Sequence, residues 1–76
     1  MFPITRAVPL PRRKVLEILG NNGFRIAREG AKHTVLEKQD DNDRWLVTFV
    51  PRHSEISVFT LQHIIRQSGK EKKEFW

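Results

Sequence analysis

Between Phe24 and Val50 three stretches of strand-forming residues follow one another with only short polar breaks, and this constrains the fold more than any other feature of the chain. Phe24 to Glu29 alternates apolar and charged residues, His33 to Lys38 is rich in β-branched and apolar types, and Trp45 to Val50 has strong strand propensity. Gly30-Ala31-Lys32 makes a tight turn between the first two, and Gln39-Asp40-Asp41-Asn42-Asp43 makes a polar hairpin loop between the second and third. Breaks this short join antiparallel neighbours, so the expected sheet is a three-stranded meander.

Helical patterns flank it. Pro11 suits the first position of a helix, where its missing N–H costs nothing, and Val15, Leu16 and Leu19 then share a face until Gly20-Asn21-Asn22-Gly23 ends the run. Pro51 has no N–H to give a ladder and is expected to stop the third strand. Ser57 is placed to cap a helix from Val58 to about Ser68, with Leu61, Ile64 and Ile65 inward and Gly69 closing its end. The expected fold class is α+β, in the order α-β-β-β-α, with two helices on one face of the antiparallel sheet.

At 76 residues the length allows one domain, read here as residues 11–76. A chain this short buries only about 60% of its unfolded surface. Residues 1–10, with Pro3 and Pro9, read as an extended N-terminal arm, and Lys70 to Trp76 as a final short turn that docks Phe75 and Trp76. In the second strand His33 and Val35 share one face while Thr34 and Leu36 share the other, and the pattern leaves open which face is buried.

The chain has no cysteine, so disulfide staples and thiolate metal sites drop out. It has no apolar run near the roughly 18 residues of a membrane span and no signal-peptide pattern at Met1 to Arg6, so a soluble, cytoplasmic protein with no membrane contact is expected. P-loop, dinucleotide and Ser/His/Asp patterns are missing as well, which leaves nucleotide, redox and serine-hydrolase readings without an anchor.

The net charge of +5 is unevenly placed. Residues 1–38 hold eight Lys/Arg against three Asp/Glu, whereas residues 39–76 hold six of each. The excess sits in the half that carries His33, and a basic surface attracts phosphates. An imidazole that titrates near neutral pH can take the proton from a ribose 2′-OH as that oxygen attacks the adjacent phosphorus. Only RNA offers that internal nucleophile.

His33 is therefore the candidate catalyst. Lys32 and Arg28 are placed to hold the phosphate and offset its growing charge, and Gly30 to keep the turn tight. Arg52 and His53, between the last strand and the last helix, are further candidate phosphate contacts near that helix's N-terminus. Taken alone, a histidine beside a turn is more often a solvated surface residue, and a lysine and arginine beside it an ordinary hairpin tip. His63, beside Ile64 in the helical pattern, reads as structural. No metal is expected, because the three histidines are scattered and Asp40, Asp41 and Asp43 lack the glycine and terminal glutamate of a calcium loop.

The run Val15-Leu16-Glu17-Ile18-Leu19, Gly23-Phe24, Arg28-Glu29-Gly30-Ala31-Lys32-His33, Val50-Pro51-Arg52-His53 and Leu61-Gln62-His63-Ile64-Ile65-Arg66-Gln67-Ser68-Gly69 resembles the HicA-type mRNA interferase toxins over about residues 11–76. The resemblance implies a fold like that of a double-stranded-RNA-binding domain and a toxin of a type II toxin–antitoxin system. It also implies a metal-independent endoribonuclease that cuts mRNA and arrests growth, with no cofactor. The implied catalytic histidine falls on His33. Members of that family often carry Gly or Ser between the turn glycine and the histidine, where this chain has Ala31 and Lys32. The implied partners are RNA and a HicB-type antitoxin, assembled as a homodimer or as a hetero-oligomer with the antitoxin. The alternative is a non-catalytic RNA-binding module. A double-stranded-RNA binder of this architecture would place lysines at the start of its last helix, and here that start reads Ser57-Val58-Phe59-Thr60.

Overall fold

A computed structural model describes residues 8–69. The expected turn at Lys70 to Trp76 and most of the N-terminal arm lie outside the described residues.

In chain order the elements are β1 (Leu10–Pro11), α1 (Arg12–Asn21), β2 (Arg25–Glu29), β3 (His33–Gln39), β4 (Trp45–Pro51), β5 (Glu55–Ile56) and α2 (Val58–Ser68). β2, β3 and β4 form the antiparallel meander, in that spatial order. The loop before β4 is closed by Asp40, whose Oδ1 accepts from the backbone N–H of Asn42 and of Arg44, both at 2.8 Å, so its acidic cluster is a solvated turn.

α2 begins and ends on its punctuation. The backbone N–H of Thr60 donates to Ser57 Oγ at 3.2 Å, and Gly69 takes a left-handed φ of 73° at the C-cap. Leu61, Ile64 and Ile65 are buried. They form one core with Val15, Ile18 and Leu19 of α1, Phe24, Ile56, and Leu36 and Val50 of the sheet. Leu36 and Val50 lie on the face that also carries Thr34 and Thr48, so both helices cover the same side of the sheet. The α+β reading, two helices on one face of a three-stranded antiparallel sheet, therefore holds.

Four details differ from the sequence reading. Pro11 is the N-cap of α1, with φ −61° and ψ 144°, and the helix starts one residue later. Ile18 joins Val15 and Leu19 in the core while Leu16 is only half-buried. Leu10–Pro11 pairs antiparallel with Glu55–Ile56, a two-residue ladder too short to register in any periodicity. Pro51 does not stop the ladder: it sits opposite His33, and the next N–H, that of Arg52, donates to Lys32 O at 3.0 Å. Pro51 needs no donor partner at that position, and its own carbonyl accepts from the Arg12 guanidinium at 3.2 Å.

Candidate functional site

The fold resolves the ambiguity of β3. Thr34 and Leu36 point into the core, with 0% and 2% of their surfaces exposed, so His33 and Val35 face away from the helices. A polar residue can be buried here because its hydroxyl is fully used. Thr34 Oγ1 donates to Glu29 Oε1 at 2.7 Å and accepts from the guanidinium of Arg12 and, at 3.3 Å, from that of Arg52. Flipping the strand would strip those bonds and force the His33 imidazole into the apolar interior.

His33 is the first residue of β3, immediately after the turn. The Gly30 N–H donates to His33 O at 2.8 Å, which closes the turn. A Cβ on Gly30 would stand 3.1 Å from that same carbonyl oxygen. A side chain here would press on that carbonyl by a few tenths of an ångström, so glycine suits the close approach of the backbone, and its φ is not in the left-handed region. Across the ladder the imidazole meets Phe49 edge to face, with ring centroids 6.5 Å apart.

Three adjoining depressions meet at His33. The largest, about 470 Å³, is lined by Lys32, His33, Pro51, Arg52 and His53. A second, about 360 Å³, runs past Phe49 and His53 to His63 and Gln67 on α2. A third, also about 360 Å³, runs the other way past Arg28, Gly30, Val35 and Phe49. The sequence candidates Arg28, Gly30, Lys32, His33, Arg52 and His53 therefore surround one continuous surface. His63, read from the sequence as structural, reaches its edge, where its ring packs edge to face on Phe59 at 4.9 Å.

Arg52 lines the largest depression, and its guanidinium Nη1 is bonded to Glu29 Oε1 at 2.6 Å. The Glu29 carboxyl is held below its ordinary value of 4.5, first by the Thr34 hydroxyl and then by Arg52. Among the described residues no group of three or more His, Cys, Asp or Glu comes together to hold a metal ion.

Residues 12–70, which include every one of these candidates, match the family model described as the HicA toxin of bacterial toxin-antitoxin systems. The chain belongs to the HicA toxin family. No curated protein and no solved structure matches it. As a HicA toxin it is one half of a toxin–antitoxin pair, whose other member is its antitoxin partner. No helix among its described residues is long and apolar enough to cross a membrane.

One feature of this HicA chain escapes a linear reading. The Arg12–Thr34–Glu29–Arg52 network that fixes the base of the turn joins residues from four separate segments, and no local signal links them. Phe49, in contrast, was findable. Trp45, Val47 and Phe49 alternate along β4, and all three are exposed on the outer face, Phe49 by 47%. An outward aromatic next to the candidate histidine follows from the period of two once the inward face is known.

Proposed function

We propose that this HicA toxin is an endoribonuclease that cuts mRNA, with His33 as the general base. The observation that carries the reading is the position of His33: exposed at the start of β3, on the face away from the helices, where three depressions meet beside Lys32 and Arg28. An imidazole in that setting can reach a ribose 2′-OH, and the two flanking cations can hold the phosphate and offset the charge that grows on its oxygens. Arg52 is already paired with Glu29, so its part is to brace the turn and to leave electropositive character at the rim. The products are a 2′,3′-cyclic phosphate and a 5′-OH. Cleavage of this kind stops translation and growth.

The test is His33→Ala against wild type on purified mRNA in the presence of EDTA, together with growth after induction. A fall in cleavage of about 10²–10⁴-fold, with relief of growth arrest, is expected for loss of a general base. A DNA strand of the same sequence should resist wild type. Undiminished cleavage by His33→Ala would remove the catalytic assignment, and binding of RNA without scission would favour a module that only binds.

The antitoxin, on this reading, masks His33 and offers acidic groups to the basic rim. Phe59, 72% exposed on the first turn of α2, is a natural anchor for it.

A further inference from the structure

We propose that His53 is the general acid of the same reaction, protonating the departing 5′-oxygen; this rests on the endoribonuclease reading given above. A ribose 5′-alkoxide is a poor leaving group, so a base alone addresses only half of the proton traffic in the cleavage step. The structure supplies a second imidazole on the right side of the sheet. Pro51 sits opposite His33, and pairing continues as far as Arg52, whose N–H reaches Lys32 O. Arg52 sends its guanidinium to Glu29 and Thr34, on the inward side, and its neighbours Pro51 and His53 line the outward depressions with His33. His53 follows two residues after Pro51, just past the end of β4, and there it lines two of the depressions together with His33.

His53 is also uncommitted. Among the described residues its exposed side chain has no hydrogen bond, ion pair or ring contact, whereas Arg52 beside it is bound and His63 packs on Phe59. His53 shares two of the three depressions with His33, and His63 shares one. Lys32 and Arg28 serve the phosphate rather than the proton.

In the step itself, His33 takes the proton of the 2′-OH as the 2′-oxygen bonds to phosphorus. The P–O5′ bond breaks, and the 5′-oxygen receives a proton from the protonated His53 ring. One proton enters at His33 and one leaves at His53, and exchange with water restores both.

An RNA oligonucleotide carrying a single 5′-bridging phosphorothiolate at the cleaved linkage tests this, because a thiolate departs without a proton. His53→Ala is expected to cleave the all-oxygen RNA about 10²–10⁴-fold more slowly than wild type and the sulfur-bridged RNA within a few-fold of it. His33→Ala should be slow on both. Equal losses by His53→Ala on the two substrates, or no loss on either, would overturn the assignment. So would selective rescue of His63→Ala in place of His53→Ala. Failure of wild type to cleave either RNA would remove the underlying endoribonuclease reading, and this proposal with it.

Discussion

Thr34, Glu29, Arg52 and Gly30 show how single residues hold the turn that carries His33. Glu29 is held ionised by the Thr34 hydroxyl and by Arg52, so its folded-state pKa lies below the ordinary 4.5. Such a group stabilises the fold above pH 4.5, and the stabilisation fades as pH falls below that value. Glu29→Gln should therefore lower Tm at about pH 7 and leave little difference from wild type at about pH 2.5. A Tm gap that stayed the same at both would show that the carboxylate charge is not what the network uses. Gly30→Ala acts by a different route, since the added Cβ at 3.1 Å pushes on the His33 carbonyl. A shift of a few tenths of an ångström in His33 is expected to reduce RNA cleavage about 3–10-fold with little change in Tm, measured as kcat beside a melting curve. Unchanged kcat would mean that the turn absorbs the strain.

At the scale of elements, α2 has the clearest start and stop. Ser57→Ala removes the acceptor of the Thr60 N–H and should cost about 1 kcal/mol, read as a lower urea midpoint at constant slope. An unmoved midpoint would show that water replaces the cap without loss. These boundaries were legible because Ser57 and Gly69 act on their own few neighbours. The same holds for the polar turn at Asp40 and the three strand segments. Less legible was β2, where the pairing shifts between Ile26 and Arg28. A bulge there interrupts the alternation, so Arg28 comes opposite Val35 on the outer face while Glu29 comes opposite Thr34 on the inner one. That displacement is what sends one residue to the candidate site and the next to the network beneath it.

For the whole molecule, one small core joins two helices and a sheet, and each member carries a large share of the stability. Leu61 is fully buried near the start of α2, and Leu61→Ala should destabilise by about 2–5 kcal/mol, measured by urea unfolding. A loss under about 1 kcal/mol would mean that the core collapses around the gap. Small domains have only about 5–15 kcal/mol to lose, so this variant should also be the one that most reduces toxin abundance in cells.

The two helices, the three main strands, their order, the caps of α2 and the basic half of the chain were determined by the sequence alone, because periodicity, proline, glycine and capping serine act over a few residues. Which face of β3 is buried, where the Arg52 guanidinium goes, and that Leu10–Pro11 finds Glu55–Ile56 were decided only in the tertiary structure. Each depends on a partner distant in sequence. Thr34 goes inward because Arg12, Glu29 and Arg52 arrive to satisfy its hydroxyl, and that meeting is what turns His33 outward.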